Sequence, residues 1–505
     1  MEGTRMKTNA TVGGGAPHRV TDHGAVGDGV TKCTEAINAA VRAVAESGGG
    51  AVVFPAGTYL SGTVRLRSRV TLDLRPGAVL LASPDIADFP EHPPDDAISR
   101  HLTRGGPTRH FILAVDSEGV GLRGPGVIDG NVEAYHGPAS ERKPYTWTGS
   151  RGPRYRPMVE FLHCRDVRVE GVTLRNSPGW TCHFASCDGV SVRDARLFNY
   201  LYSGNSDGLD IDGCRDVIIT GCHIETGDDA IVLKTCHGSR SCERVVVANC
   251  LLRSNCAAFK IGTETWHDVR HVAVSNCVVH RSSRAVQIFS QDGATVEDIA
   301  VSNLVVDTDC GITLNRPLHL DLCRRRCNKI VGFDHDARPV GRIRRVAIQN
   351  VTLNTDGRIL LTGGDGGRLE QIHLSQIAMR MPWIEDPESV KDLSDSLQSS
   401  IAVPEARLAR AALVAANIDD FDLRGFSVSW PGEGVPADYL PKHERGVLVR
   451  DPRKQFHPLP PFHALWLEGI RNGTIDAPGL RASCPGIDAI RREACEDLRI
   501  REDQP

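Results

Sequence analysis

At 505 residues the chain is longer than the roughly 300 at which one compact core stops growing, so it must divide into domains or repeat. Its 59 basic and 63 acidic residues leave a net charge of -4, which gives no electrostatic footprint for nucleic acid or an anionic membrane. Fifty glycines and only 5 % aromatic residues exclude an ordinary helical bundle and suit many short strands joined by turns.

The first 17 residues, polar and glycine-rich, are expected to be disordered. They lack the apolar core of a secretory signal, and no window reaches the ~20 apolar residues of a membrane span. The expectation is a cytoplasmic protein, or a secreted one if a signal has been removed. After DHGAVGDGVT, the run CTEAINAAVRAVAESGGG places alanines and aliphatic residues at helical spacing and stops in glycine, which predicts a capping helix. VVFPAGTYLSGTVRLRSRVTLDLRPGAVLLAS then supplies the first strands.

From Val167 the chain repeats. VRVEGVTL is followed by similar runs starting at Val190, Val217, Val245, Val272, Ile299, Val346 and Ile372, at intervals of 23 to 28 residues with one of 47. β-branched residues alternate at period two, and each unit is too short to bury a face alone. Stacking the units as parallel coils solves that problem, so the fold class is all-β: a right-handed parallel β-helix, a single-stranded solenoid with an N-terminal capping helix and a C-terminal insert. The interval of 47 places a loop insertion at 315–342, where the Arg-rich CRRRCNK is expected to be solvated. A helix-like stretch forms an insert at 383–418, the catalytic β-helix domain runs over 18–480, and 481–505 is a polar tail. Cys222, Cys250 and Cys277 recur in register and are expected to form an inward stack of small apolar side chains. The closer pairs Cys236 with Cys242, Cys323 with Cys327 and Cys484 with Cys495 suit disulfides or metal clips, but no histidine stands at zinc-finger spacing, and no metal or other cofactor is expected.

Chemistry concentrates in GNSDGLDIDGCRDVIITGCHIETGDDAIVLKT. Asp207 lies 21 and 22 residues before Asp228 and Asp229, close to one coil, so the three carboxylates are expected on adjacent rungs of one face. Carboxylates that close raise one another's pKa, so one can hold a proton while another stays ionised, the division that glycoside cleavage uses.

NSDGLDID followed one coil later by GDDAIVLK resembles the Asn-Thr-Asp and Gly-Asp-Asp motifs of glycoside hydrolase family 28, the polygalacturonase group of the pectin-lyase-like β-helix superfamily. GAVGDGVT, FPAGTYLSGTVRL and GPGVIDG are similar to that group as well, and the likeness runs over residues 20 to 380. The resemblance implies inverting hydrolysis of an α-linked glycoside, with Asp228 as general acid and Asp207 and Asp229 positioning water. It implies a carbohydrate substrate, with no nucleic acid or membrane partner, and a monomer or homodimer. Two departures stand out. The supporting histidine of the family's Gly-His-Gly falls on Ala257, and its uronate-gripping Arg-Ile-Lys falls on Gln287-Ile288-Phe289, so polygalacturonate is not the expected substrate. Candidate substrate contacts are Asn205, Lys234, Lys260, Glu264, Trp266, His267 and Gln287, with Trp266 able to stack on a sugar ring. A lyase or uronate epimerase using Lys260 as base, and a non-catalytic carbohydrate-binding β-helix, are the alternatives.

Overall fold

The computed structural model describes residues 18–92, 107–141, 150–308, 315–325, 333–382, 387, 406, 408–431 and 461–501, plus four short strand backbones between 435 and 457. Residues 1–17, Cys310, Cys327 and most of the proposed 383–418 insert lie outside them.

The chain winds as a right-handed parallel β-helix. Each repeat read from the sequence occupies one coil, and their first residues form one ladder column: Val167 pairs with Val190, Val190 with Val217, Val217 with Val245, Val245 with Val272, Val272 with Ile299, Ile299 with Val346 and Val346 with Ile372. These residues point inward, and from Val167 to Ile372 none is more than 2 % exposed. Burying a valine side chain contributes about 1.5–3 kcal/mol, and the column repeats that gain coil after coil. Between the two arms of each coil the backbone turns through the left-handed region. Asn249, Asn276, Asn303 and Asn350 hold φ of 57, 55, 55 and 52° there. Asparagine tolerates that conformation, and its side chain then bonds its neighbour: Asn303 Nδ2 donates to Asn276 Oδ1 at 3.0 Å and Asn350 Nδ2 to Asn303 Oδ1 at 2.7 Å.

Helix α1, Thr34–Glu46, lays Ile37, Ala40, Val41 and Val44 onto the N-terminal end of the same core. Its i, i+3, i+4, i+7 spacing is the apolar stripe of a surface helix, and it shields the first rungs from pairing with another chain. Cys222, Cys250 and Cys277 are 1–3 % exposed and sit in the core, as do Cys164, Cys187, Cys214 and Cys242. Cys236, Cys242, Cys484 and Cys495 are free thiols, so those pairs are not disulfides.

Three boundaries need correction. The 315–342 insertion starts too early, because Leu318–Leu322 is a rung strand between Val286–Ser290 and Leu360–Gly363. The 383–418 insert ends too late, because Ala411–Ala416 is a strand pairing with Ile359–Thr362 and with Ala411's partner His463. All six of its residues are buried, and a strand covered on both faces reads as a continuous apolar run that imitates a helix. The 481–505 tail contains a last coil, Ile490–Glu493 and Glu496–Arg501, stacked on His463–Glu468 and Arg471–Asp476. Its outward positions are charged, which hides the period-two pattern.

Candidate active site

Asp207 immediately precedes the strand Leu209–Asp212, and Asp228–Asp229 precede Ile231–Thr235. Leu209 pairs with Ile231, so the two acidic knots enter adjacent rungs side by side. Two glycines permit that approach. A Cβ on Gly208 would stand 2.4 Å from the Ala230 carbonyl, and one on Gly227 2.4 Å from the Ser203 carbonyl. Asp207, Asp228 and Asp229 are 3, 7 and 1 % exposed, so all three carboxylates are buried.

Burial and the neighbouring Asp228 and Asp210 carboxylates hold the Asp207 pKa well above the usual range, with Lys234 opposing. Burial and Asp229 raise Asp228 as well, against Lys260 and a backbone hydrogen bond from Asn205. That bond runs from Asn205 N–H to Asp228 Oδ2 at 2.9 Å, while Asp229 N–H donates to Asp228 Oδ1 at 3.0 Å. Lys260 Nζ donates to Asp229 Oδ2 at 2.7 Å. Lys234 lies across a Trp180 ring at 4.7 Å and donates to Glu264 Oε2 at 3.0 Å, with Asp210 Oδ1 at 3.9 Å. Glu264 reaches Lys234 through a bulge: Leu233 pairs with Ile261 but Thr235 with Thr265, so two extra residues loop out between them.

A second charged ladder runs toward the N-terminus. His183 Nδ1 and Glu160 Oε1 are 2.8 Å apart, His183 Nε2 and Asp212 Oδ2 3.5 Å, and His110 Nε2 and Glu160 Oε2 3.2 Å. Burial alone would lower the His183 pKa, but Asp212 and Glu160 push it up to about 10, so His183 is an imidazolium clamped between two carboxylates. Asp210 stacks on His183 in the ladder and is 0 % exposed. Burial raises its pKa to about 7, with Lys234 and His183 opposing.

Residues 98–315 match the family model for glycosyl hydrolases family 28, and residues 18–73 match that for rhamnogalacturonase A/epimerase, pectate lyase-like. A probable polygalacturonase from Vitis vinifera is 31 % identical over 226 residues, 43 % of this chain and 44 % of that one. The chain is related to glycosyl hydrolases family 28. It spans less than half the length of the curated relatives it matches. Among solved structures, a family 28 exopolygalacturonase from Yersinia enterocolitica aligns with a TM-score of 0.64 over 91 % of this chain and 79 % of that one at 17 % identity. The exopolygalacturonase from Thermotoga maritima gives 0.59 over 72 % and 86 % at 24 % identity. These two share the fold.

Within the β-helix, the structure brings together Asp207, Asp228, Asp229, Lys234, Lys260 and Glu264. Asn205 contributes its backbone N–H, and its side chain is exposed. Gln287 lies one rung past Lys260 in the same column. Trp266 is not a sugar platform: it is 6 % exposed and packed among His237, Phe333 and His335, with the Arg338 guanidinium 4.4 Å over its ring. His267 is half-buried and held through its backbone by Thr235 Oγ1. Arg325 of CRRRCNK is not solvated. It is 1 % exposed and bonds Asp292 through Nε at 2.6 Å and the Thr263 carbonyl at 2.9 Å, with Glu264 at 3.5 Å. Asp210, His183, Glu160 and Arg325 were missed. The alternation in Leu209-Asp-Ile-Asp212 held the signal for Asp210, because an aspartate flanked by inward apolar residues on a site strand faces outward into the site.

Carboxylate oxygens of Asp228 and Asp229 and the Cys256 Sγ lie within 4.8 Å of one another, the spacing of a metal-ligand set. Lys260 already occupies Asp229, and burial beside these aspartates pushes the Cys256 thiol pKa up, so the set favours the lysine ammonium over a metal ion. A half-exposed set of His223, Glu225 and His280 lies outside the site, and Arg253, 3.4 Å from Glu225, competes for its carboxylate.

Proposed function

We propose that this chain is an inverting glycoside hydrolase that cleaves an α-linked oligosaccharide or small glycoside by direct attack of water. The observation that carries the reading is the buried trio of carboxylates, in which burial with Asp228 and Asp210 raises the Asp207 pKa and burial with Asp229 raises that of Asp228, the environment that favours a carboxyl holding a proton. Asp228 gives that proton to the leaving oxygen, and Asp207 and Asp229 position and activate the water on the opposite face. Lys260 holds Asp229 in place, and Lys234 balances Asp210 and Glu264. Polygalacturonate is not the favoured substrate, since Gln287 and Phe289 stand where the family grips a uronate.

The lyase reading needs a lysine that gives up its proton. Burial lowers the Lys260 pKa, but Asp229 and its neighbours raise it above that of a free lysine, so it is a poor base. Incubation with a panel of chromogenic α-glycosides of galacturonate, rhamnose, galactose and arabinose tests the proposal. New reducing ends without an ultraviolet-absorbing product are expected, and Asp228→Asn should abolish them in a folded protein. An unsaturated product, or full activity in Asp228→Asn, overturns it.

A further inference from the structure

The insertion between the repeats at Ile299 and Val346 delivers one charged side chain to the interior, and the proposed chemistry leaves it without a role. Arg325 is 1 % exposed, and its backbone N–H donates to the Gln291 carbonyl at 2.9 Å. Its guanidinium spreads over three residues. Nε donates to Asp292 Oδ1 at 2.6 Å, Nη2 to Asp292 Oδ2 and to the Thr263 carbonyl, the latter at 2.9 Å, and Nη1 lies 3.5 Å from Glu264 Oε1. Asp292 is itself 0 % exposed, and its Oδ2 accepts the Thr265 N–H at 2.9 Å. A planar fork with five donors can serve all of these acceptors at once, which a lysine cannot do.

Arg325 and Asp292 therefore grip residues 263 and 265, on either side of Glu264. These residues belong to the bulge in which two extra residues loop out between Ile261 and Thr265. A bulge frees backbone groups from the ladder and re-aims a side chain. Arg325 takes the Thr263 carbonyl and Asp292 takes the Thr265 N–H, and the side chain re-aimed is Glu264, whose Oε2 accepts from Lys234 at 3.0 Å. The Asp210 carboxylate is farther from Lys234, at 3.9 Å, so Glu264 decides where the ammonium sits. Asp207 and Asp229 also act on that ammonium, and His183 stacks on Asp210 from the preceding rung. Buried charges thus alternate from the insertion to the edge of the acidic trio: Asp292, Arg325, Glu264, Lys234, Asp210.

We infer that Arg325 is a positioning residue of the site: by clamping the bulge on both sides of Glu264, it fixes the Lys234 ammonium against Asp210 beside the acidic trio. The effect on turnover rests on the proposed hydrolase, whereas the clamp itself does not.

A crystal structure of the full-length Arg325→Met protein reads the clamp without turnover. The Glu264 carboxylate and the Lys234 ammonium should both leave their places beside Arg325 and Asp210. On the best substrate of the glycoside panel, Arg325→Met should lower kcat by about tenfold to a hundredfold and leave KM within about twofold, because a fully buried Arg325 binds no sugar. Both limbs of the kcat/KM pH profile should move to higher pH, since removing a buried positive charge makes the carboxylates around Lys234 hold their protons more strongly. Arg325→Lys keeps the charge without the fork, so its limbs should return to the wild-type pH while kcat recovers only in part. If Arg325→Met fails to fold by circular dichroism, Arg325→Met combined with Asp292→Asn removes both charges of the pair and takes its place in the structure and the kcat measurement. Glu264 and Lys234 unmoved in the variant, an unchanged kcat, or a pH profile that coincides with that of the wild type overturns the inference. Displacement of both side chains in a protein whose wild type cleaves no glycoside would leave the clamp standing and remove the hydrolase.

Discussion

The solenoid has two unlike faces made from the same coils. In the long sheet, inward and outward positions alternate except at the left-handed corners: Val269–Val279 and Thr295–Thr308 bury their inward residues and leave the residues between them partly or fully exposed. Outward charges there pair at the surface, as Arg244 does with Asp216 at 2.6 Å. In the sheet that carries Asp210, Lys234, Lys260, Gln287 and His319, every residue of Leu209–Asp212, Ile231–Thr235, Ala257–Thr265, Arg284–Ser290 and Leu318–Leu322 is buried. Its outward side chains are covered yet polar, and burying them costs free energy that packing does not return. A scaffold spends stability in that way where chemistry needs charges out of water.

Four experiments break or sharpen that contrast. Replacing Asp228 by Asn should lower turnover by about 10²–10⁴-fold with the thermal midpoint held or raised, since it removes a proton donor from a site that stores charge at a cost. Assays on the best substrate alongside thermal denaturation measure both.

Lys260→Met should destabilise the fold by about 3–5 kcal/mol at neutral pH, because Asp229 keeps its buried charge and loses the ammonium at 2.7 Å. Denaturant titration reads this, and a change below 1 kcal/mol would mean that Asp229 finds water or another donor.

Asp210 makes stability depend on pH. Its folded pKa of about 7 lies above the ordinary aspartate value of 3.8, so the folded state binds the extra proton between those values, and stability falls as pH rises toward 7. Between pH 5 and pH 8 the wild type should lose up to roughly 3 kcal/mol that Asp210→Asn does not lose. Parallel slopes for the two proteins would remove Asp210 from the account.

Arg244→Ala, on the exposed face, should leave the thermal midpoint within measurement error, since the side chains of Arg244 and Asp216 are 48 and 57 % exposed.

The long sheet was legible because one rule generates it. Apolar residues at period two, punctuated by Asn or Gly at each corner, recur at one coil's spacing, and the register follows from the repeat starts. The two-sided burial of Ala411–Ala416 broke that rule and was read as helix. At the site, Asp207, Asp228 and Asp229 were legible from spacing, and Lys234 and Lys260 from their places one coil on. Trp266 was misread because a sequence shows an aromatic side chain but not the Phe333 and His335 rings that enclose it. Arg325 was misread because a basic run looks solvated until a distant Asp292 and a bulged Glu264 are folded against it.

The sequence by itself determined the solenoid, the coil length and the meeting of the three aspartates, because each is set by short-range periodicity. Only the tertiary structure decided which outward charges are covered and that Asp210 and His183 join the site. Those outcomes depend on contacts between residues tens of positions apart, and the energy of a charge is fixed by what surrounds it rather than by its neighbours in the chain.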